Sequence, residues 1–466
     1  MDNFFVYNTM IRAYSNSVTP INAIHIYNQM HEKDVPHDNF SHTFVLKACA
    51  KHLWVMEEEG SRFKAAISDV SRKGFEIHCR ILVSGYDQEQ FVMNSLISLY
   101  SQCGFLGFGR RVFDEMSERS VCLWNTMIAA YDQVRDYGSA DLLFESMPVK
   151  DVVSWNMLIS RFVKLGDVEA ARRVFEGMPE RDAVSWNSMI AGHVQVKNYG
   201  GALELFREMQ VADVEPTEIT LISVLGACAE TGALEMGRKI HDSLKKKSCK
   251  IEGFLGNALV DMYAKCGSLY QAWEVFNRLK IKHVSCWNAM IVGLAVHGYS
   301  EEALRLFDVM ETKLDEVRPN RVTFVGVFIA CSHKGLVKEG RSYFKRMVED
   351  HEITADMKHY GCMVDMFSRW GWLQESFDVI KTMPFDANAI LWRTLLGACR
   401  THGNVDMAEE CFEQLSKLGS LNDADYVLLS NIYADAERWN DVERVRNVMI
   451  SYGIGKEPGF SNIQMK

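Results

Sequence analysis

Apolar side chains along this chain recur with a helical period, in short segments that come in pairs. In residues 152–182, one helical face is predicted by the spacing of Trp155, Leu158, Ile159 and Phe162. Ser154 is the expected N-cap of this helix, and Gly166 ends it because glycine readily adopts the left-handed conformation. A second amphipathic segment begins at Val168 and ends before Pro179. The pattern predicts a helical hairpin that cannot bury its apolar seam alone.

This paired pattern repeats along almost the whole chain. Most units contain 31 to 37 residues, a period typical of an α-solenoid in which two-helix units stack on a shared core. Eleven units are predicted, at residues 4–38, 39–89, 90–120, 121–151, 152–182, 183–217, 218–252, 253–283, 284–320, 321–356 and 357–388. They are followed by two helical pairs and a tail, at residues 389–422, 423–455 and 456–466. The predicted fold class is therefore all-α, built from helix–turn–helix repeats.

One unit does not keep to the common length. Residues 39–89 form a unit of 51 residues, and the surplus lies near residues 61–74. We expect either a looped insertion or an artefact of the gene prediction at this place.

Composition and charge narrow the classes of function. The chain is 48% hydrophobic, but no apolar run approaches the roughly 20 residues of a membrane helix, so no membrane association is expected. Its formal charge is −10. A protein that binds nucleic acid mainly through phosphates needs a basic surface, so this mode is disfavoured. Recognition of unpaired bases in a groove stays open.

The twelve cysteines do not form a metal or disulfide pattern. Four occupy one repeat position, in similar sequence contexts, namely Cys49, Cys228, Cys331 and Cys399. Two more share a second context, Cys103 and Cys266. Both C-x-x-C and H-x-E are absent. We therefore expect reduced packing cysteines, with no metal and no cofactor.

Asparagine recurs at one place on the first helix of seven units. These residues are Asn8, Asn94, Asn125, Asn156, Asn187, Asn257 and Asn288. Asparagine is a poor helix former, so packing alone does not explain the repeated choice. One interpretation is that the amides line a groove and each meets one base, since an amide both donates and accepts. The alternative is a hydrogen bond between repeats, or an amide that caps the preceding turn.

Two other repeated positions have a simpler structural interpretation. The last residue of a unit is often polar, as in Asp38, Ser120, Asp151, Asp182 and Asn320, and such residues are ordinary turn and cap residues. The residue before the asparagine is tryptophan in four units, at Trp124, Trp155, Trp186 and Trp287. We expect these tryptophans to pack in the seam rather than to stack on bases.

The motifs VVSWNMLI, FVLKACA, NALVDMYAKCG and EEALRLFDVM resemble the P, L and S units of plant pentatricopeptide repeat proteins, specifically the PLS subgroup. The segments YVLLSNIYADAERWNDVERVRNVM and EPGFSNI resemble the E1 and E2 extensions of that subgroup, so the resemblance is to the E class. It implies a right-handed α-solenoid that binds single-stranded RNA, with the protein N-terminus toward the RNA 5′ end. It also implies that the fifth and last residues of a repeat select a base, while the second residue flanks it.

Applied residue by residue, the resemblance implies a pyrimidine-rich target. Uracil is implied by Asn8/Asp38, Asn125/Asp151 and Asn156/Asp182. Cytosine is implied by Asn94/Ser120. A pyrimidine is implied by Asn187/Thr217, Asn257/His283 and Asn288/Asn320. No base is implied by the fifth residues Thr43, Ile222, Val325 and Gly361. The implied target is 5′-U-n-C-U-U-Y-n-Y-Y-n-n-3′.

The second residues of the units agree with an apolar contact to bases. Suitable side chains are Phe5, Phe91, Val153, Val184 and Phe254, whereas Ser285 and Lys358 depart from the pattern.

The resemblance further implies a site-recognition factor for C-to-U editing of RNA in mitochondria or plastids, not an enzyme itself. A deaminase would need H-x-E and C-x-x-C, so we expect a DYW-type deaminase in trans, with editing accessory proteins as further partners. The chain shows no organelle-targeting leader, and a truncated N-terminus is the expected explanation.

Three other functions would each require different features in the sequence. An organellar RNA stability, processing or splicing factor would need no E-like segment for its function. A tetratricopeptide-like scaffold for proteins would keep units near 34 residues with W-x₂-L-G-x₂-Y, which neither the unit lengths nor the asparagines match. A metal-dependent nuclease would need clustered carboxylates in a separate domain, and none is predicted.

Overall fold

The computed structural model describes residues 4–59, 63–312 and 317–451. Throughout these ranges the regular structure is α-helical, without a strand. The all-α prediction is therefore confirmed. In the described part of the chain no helix has the length and apolar character needed to cross a bilayer.

The helices form two compact units. The first comprises described positions up to 198 together with 205–215, and the second comprises 199–204 together with described positions from 216 onward. The helices up to the division are α1 Phe4–Asn16, α2 Ile21–Glu32, α3 Asn39–Glu59, α4 Phe63–Ser84, α5 Gln90–Gln102, α6 Leu106–Glu115, α7 Val121–Gln133, α8 Tyr137–Ser146, α9 Val152–Lys164, α10 Val168–Glu176, α11 Ala183–Gln195 and α12 Tyr199–Val211. The division falls within α12.

The second unit continues the same alternation of helices. Its helices are α13 Glu218–Thr231, α14 Leu234–Lys246, α15 Gly253–Lys265, α16 Leu269–Arg278, α17 Val284–Val296, α18 Ser300–Glu311, α19 Arg321–Lys334, α20 Val337–Glu349, α21 Met357–Arg369, α22 Leu373–Thr382, α23 Ala389–His402, α24 Val405–Lys417, α25 Asp423–Asp435 and α26 Trp439–Ser451.

Within each unit the chain is a stack of antiparallel helical hairpins. Each odd-numbered helix from α1 to α9 and from α13 to α23 packs against the even-numbered helix that follows it and against the next odd-numbered helix. The odd-numbered helices therefore form one layer and the even-numbered helices a second. Their shared seam is apolar, as expected for hairpins that bury their faces only by stacking.

A polar N-cap residue directly precedes the first helix of a hairpin. In α9 the N-cap is Asp151, whose carboxylate accepts from the Ser154 backbone N–H at 2.8 Å. The Ser154 hydroxyl meets the Asp151 backbone N–H at 3.3 Å, which completes a capping box. The expected N-cap Ser154 was therefore wrong by three residues. The hydrogen bonds place Ser154 at the third helical position, where its hydroxyl accepts from the backbone N–H of the N-cap residue Asp151.

The predicted end of α9 agrees with the structure. The helix stops at Lys164, and Gly166 has a φ of 76°, in the left-handed region. The next helix, α10, begins at Val168, as its amphipathic pattern predicts.

The four tryptophans pack in the seam, as expected. Trp124, Trp186 and Trp287 are buried, and Trp155 is half-buried. Each meets a phenylalanine of the preceding helix edge to face, with ring centroids 4.8–5.1 Å apart, in the pairs Phe113–Trp124, Phe144–Trp155, Phe175–Trp186 and Phe276–Trp287. This contact joins each of these hairpins to the next.

The surplus of the long hairpin is mostly helical. Helix α3 extends to Glu59, and α4 spans residues 63–84. Most of the expected loop at residues 61–74 is therefore the first half of α4, and only residues 61 and 62 of it lie outside the described residues. The loop expectation was wrong because the added residues continue a helical pattern, and Ile67 and Val70 among them pack toward the core.

The cysteines are reduced, and the repeated ones are packed inside. All twelve thiols are free. Full burial is seen at Cys49, Cys228, Cys331 and Cys399. Burial raises the pKa of Cys49 and of Cys331 to about 12, so these thiols stay protonated and inert at neutral pH.

Candidate nucleic-acid interface

The recurring asparagines occupy the second turn of the first helix in their hairpins. They lie four residues after the helix start, so the stacked odd-numbered helices present one amide per hairpin. Asn8, Asn257 and Asn288 are buried. The remaining four are half-buried, Asn94, Asn125, Asn156 and Asn187.

Four of these amides donate to the last residue of their own unit. The bond in Asn8/Asp38 reaches both carboxylate oxygens at 2.9 Å. The single bonds are 3.2 Å in Asn125/Asp151, 3.2 Å in Asn156/Asp182 and 3.0 Å in Asn288/Asn320. Because each last residue is also the N-cap of the next hairpin, the hydrogen bond between repeats kept as an alternative is present in these pairs.

That bond leaves several amides incompletely satisfied. In two hairpins the amide oxygen accepts a hydroxyl at 2.6 Å, from Ser41 to Asn8 and from Thr323 to Asn288. Of the recurring asparagines, four have a buried amide oxygen that accepts no hydrogen bond within the described structure, namely Asn94, Asn125, Asn156 and Asn257. An unpaired buried acceptor costs about 1–3 kcal/mol, so hydrogen bonds within the described structure leave the acceptor oxygen of these four amides unused.

The other predicted pairs have different partners. The Ser120 hydroxyl accepts from the Leu123 N–H and caps α7, while the Ser120 N–H donates to Gln90. The Asn257 amide donates to Ser285 at 3.1 Å rather than to His283. The exposed His283 ring lies parallel to Phe254, with centroids 6.3 Å apart. Thr217 forms a capping box at the start of α13, where its hydroxyl meets Thr220.

Two carboxylates at this position, those of Asp151 and Asp182, are held in their ionised form. Partial burial acts to raise the pKa of Asp151, but hydrogen bonds from Ser154 and from the Asn125 amide outweigh it, and the pKa lies below its usual value. Asp182 has a lowered pKa for the same reasons, with Ser185 and Asn156 as donors. Both are therefore obligate hydrogen-bond acceptors at neutral pH.

All five predicted base-flanking side chains are exposed. Phe5, Phe91 and Phe254 have 67%, 78% and 75% of their surface exposed, and Val153 and Val184 more than half. Four further exposed apolar residues, not predicted from the sequence, lie at the same second position, namely Phe40, Ile219, Val322 and Ile390. Their position in the repeat would have identified them. Exposed large apolar side chains at regular intervals are typical of a binding surface.

Two cavities of similar size lie between consecutive first helices in the first unit. One, of about 510 Å³, is lined by Val153, Asn156 and Val184. The other, of about 570 Å³, is lined by Phe40, Thr43 and Phe91. In both, the lining residues are the second and fifth residues of one hairpin and the second residue of the next. The two cavities therefore occupy the same place in their repeats.

Cationic side chains lie beside these cavities. Arg12 and Lys47 line the larger one, and Lys164 lines the smaller one. The nearby Arg161 is buried and already paired with Asp132 at 3.0 Å. Burial raises the pKa of Asp132 despite this pair. In the described structure no group of three or more His, Cys, Asp or Glu side chains is placed to hold a metal ion.

Comparison with known proteins shows which family descriptions match the repeated motifs. The description "PPR repeat" matches eight segments, residues 5–35, 91–121, 122–152, 153–182, 257–284, 285–313, 322–351 and 358–385. The description "PPR repeat family" matches residues 181–230. A pentatricopeptide repeat-containing protein of Arabidopsis thaliana is 44% identical over 462 residues, which cover 98% of this chain and 81% of the relative.

The chain belongs to the pentatricopeptide repeat family. A second Arabidopsis thaliana member, whose name adds "chloroplastic/mitochondrial", is 37% identical over 475 residues. That match covers 99% of this chain, which spans 62% of the length of that relative. The description "E motif" matches residues 402–464, which overlap both C-terminal helical pairs.

Solved structures of the family are also similar. The maize pentatricopeptide repeat protein PPR10 matches 96% of this chain and 78% of its own, with 17% identity and a TM-score of 0.47. PPR10 in complex with an 18-nucleotide psaJ RNA element matches 97% of this chain and 75% of its own, with 15% identity and a TM-score of 0.48.

Proposed function

We propose that this pentatricopeptide repeat protein binds single-stranded RNA in a sequence-specific manner, with one base per hairpin. The observation that carries the proposal is the repeated cavity between consecutive first helices. Each is flanked by two exposed apolar side chains and contains the fifth residue of its hairpin. Apolar side chains that flank a base, with polar groups at its edge, are the usual means of reading unpaired RNA.

The bases follow from the fifth and last residues of seven hairpins. We assign base selection to Asn8/Asp38, Asn94/Ser120, Asn125/Asp151, Asn156/Asp182, Asn187/Thr217, Asn257/His283 and Asn288/Asn320. We assign base flanking to Phe5, Phe91, Val153, Val184 and Phe254. The hydrogen bonds between the fifth-residue amides and the last-residue carboxylates support this assignment, because they hold the two polar groups side by side. The unit boundaries and the PLS and E-class assignments belong to the same proposal.

In the cell, the proposed role is recognition of cytidines for C-to-U editing in mitochondria or plastids. The protein selects the site, and a DYW-type deaminase acts in trans. The E motif match at residues 402–464 supports this role, since it lies beyond the hairpins assigned to bases. The organellar name of one relative supports the compartment.

The base assignment is tested at one hairpin by Asn156→Thr. The wild-type protein should prefer uracil at the fifth nucleotide of 5′-UNCUUYNYYNN-3′. In the variant the amide is replaced by a hydroxyl beside the Asp182 acceptor, and preference should move to guanine. Gel-shift titrations with four oligonucleotides that differ only at this nucleotide measure the change.

Preference for uracil at the fourth nucleotide, assigned to Asn125 and Asp151, should not change in this variant and serves as the control. An unaltered preference at the fifth nucleotide would remove the base assignment for this hairpin.

A second candidate is an RNA stability, processing or splicing factor, which the RNA-binding groove fits equally well. Transcriptome-wide RNA sequencing of a knockout line separates the two functions. Loss of specific C-to-U events, restored by the full chain but not by a chain lacking residues 389–466, supports editing. Altered transcript ends or introns with normal editing would support the second candidate.

A further inference from the structure

One buried ion pair departs from the packing pattern of the first helices. In the eleven predicted units the tenth residue is small or apolar, apart from Arg161 in α9. The twelfth residue is serine, alanine or valine, apart from Asp132 in α7. The two exceptions meet between their helices, where Arg161 Nη1 donates to Asp132 Oδ1 at 3.0 Å.

The packing of the hairpins does not require this ion pair. The Arg161 side chain is only 4% exposed, and it also pairs with Asp141 of α8, but its Nε is buried without a hydrogen-bond partner within the described structure. A buried ion pair is often no more stabilising than apolar residues of similar volume. At the equivalent positions of α13 and α15 the chain has Ala229 and Met262, both buried. The same fold therefore accommodates an uncharged pair at this place.

The ion pair lies where the groove has a cavity. Among the consecutive first helices of the first unit, α7 and α9 pack least closely. The cavity of about 510 Å³ is lined here by Asp132, Arg161 and Lys164, and also by the fifth residue Asn156. The Asp132 side chain keeps 20% of its surface exposed, so its carboxylate has lone pairs available for a further donor.

We propose that Asp132 recognises the ribose 2′-hydroxyl of the fifth nucleotide, and that Arg161 is the positioning residue that fixes the carboxylate. The inference rests on the proposed function, because it assumes that the groove binds RNA. A hydroxyl both donates and accepts, so it can donate to Asp132 and accept from the ammonium group of Lys164. The 2′-hydroxyl is the group by which a protein distinguishes RNA from DNA at one site.

This selectivity for the sugar is separate from the selectivity for the base. The uracil edge is assigned to Asn156 and Asp182, whereas Asp132 belongs to the preceding hairpin. The hairpin of α15 and α16 is a matched case without the carboxylate. Its fifth residue is also an asparagine, Asn257, but Ala229 and Met262 replace the ion pair. We therefore expect selectivity for ribose at the fifth nucleotide and not at the eighth.

The first experiment changes only the RNA. The full chain is titrated by fluorescence anisotropy into 5′-UACUUUAUUAA-3′, and into the same RNA with 2′-deoxyuridine at the fifth or at the eighth nucleotide. Deoxyuridine at the fifth nucleotide should weaken binding about tenfold, as expected for the loss of a hydrogen bond to a charged group. Deoxyuridine at the eighth nucleotide is the control and should change the affinity little. Equal losses at both places, or no loss at the fifth nucleotide, would overturn the inference.

The second experiment replaces the ion pair by the residues of the matched hairpin. The double variant Asp132→Ala/Arg161→Met should keep its helix content by circular dichroism, because the chain already uses alanine and methionine at these positions. It should bind the ribose and deoxyribose forms of the fifth nucleotide with equal affinity, while uracil stays the preferred base there. An ion pair that only supported the fold would lower both affinities alike and leave their ratio unchanged, contrary to the inference. The substitution in the RNA decides the question whether or not this variant folds.

Failure of the inference and failure of the proposed function give different results. If the chain selects the uracil and cytosine positions but binds the deoxyuridine-containing RNA equally well, only the recognition of ribose by Asp132 is lost. If the chain does not distinguish this RNA from a scrambled sequence, the proposed function is lost, and the recognition of ribose with it.

Discussion

The side chains proposed to read bases are also structural groups. Asp151 and Asp182 cap the helices that follow them. Each also accepts a hydrogen bond from the asparagine of the preceding hairpin. A carboxylate fixed by its own helix start cannot swing away, so the amide is held in one orientation before RNA arrives. Preorganisation of this kind reduces the conformational entropy lost on binding.

The fifth position has a different structural role beyond the assigned hairpins. In α23 this position is Arg393, which forms a two-pronged pair with Asp425 of α25, with bonds of 2.9 Å from Nε and from Nη2. Asp425 is buried, whereas the Arg393 side chain is about one-third exposed. The guanidinium is thus occupied by the next hairpin, and this position joins the two C-terminal helical pairs rather than facing a ligand.

Arg393→Met should destabilise the protein by about 3 kcal/mol, because it leaves the buried Asp425 carboxylate unpaired. Urea unfolding followed by tryptophan fluorescence measures the change. The double variant Arg393→Met/Asp425→Ser should recover most of the loss, since serine at this position completes a capping box in α9 and α11. A double variant no more stable than Arg393→Met would contradict the explanation by an unpaired charge.

At the level of the helices, neighbouring hairpins approach closely where small residues meet. A Cβ atom at Gly293 of α17 would lie 2.7 Å from the Cβ of Ala264 and 3.3 Å from its Cα in α15. Ring N–H groups add a second contact between successive hairpins, as where the Trp370 indole donates to the Ser332 carbonyl at 2.8 Å. These contacts set the distance between first helices, and so the width of the groove.

Gly293→Ala should therefore destabilise the protein by about 1–3 kcal/mol, because α15 and α17 must separate to admit the methyl group. Gly226→Ala in α13 is the matched control, since a Cβ there meets no atom within 4 Å. The control should be more stable than wild type by about 0.5–1 kcal/mol, owing to the lower helix propensity of glycine. Thermal unfolding measured by circular dichroism gives both values. Equal effects of the two substitutions would show that helix propensity, not close approach, governs Gly293.

For the whole molecule, net charge bears on how the proposed RNA ligand would be held. The chain has 61 acidic and 51 Lys or Arg residues, so phosphates are attracted only locally. Many basic side chains are neutralised by a carboxylate one helical turn away, as in Arg110–Asp114 and Arg369–Asp365. Three cations beside the two cavities, Arg12, Lys47 and Lys164, form no ion pair within the described structure. Affinity should come mainly from the bases.

The salt dependence of binding follows from this charge distribution. With about three phosphate contacts, the slope of log K against log salt concentration should be about −2, since each contact contributes about −0.7 for a single strand. Anisotropy titrations of the full chain between low and moderate potassium chloride measure it, with poly-lysine on the same RNA as a strongly salt-dependent control. A slope steeper than about −5 would show binding dominated by phosphates and would contradict recognition through bases.

The repeat and its helices could be predicted because their determinants lie close together in the chain. The spacing of Trp155, Leu158 and Ile159 specifies one helical face regardless of neighbours, and glycine at position 166 suits a left-handed turn locally. The surplus in residues 39–89 could not be interpreted in this way. Added residues are compatible with a loop or with longer helices, and packing of Ile67 and Val70 selected the helices.

The partners of the polar groups depended on the stacking of hairpins. Asn125 and Asp151 are 26 residues apart, and only the packing of α7 against α9 brings the amide to the carboxylate. Local periodicity thus established the order of the hairpins, because helix formation is a short-range property. The hydrogen-bond partners of these polar groups were established by the folded stack, because the partner atoms are distant in the chain.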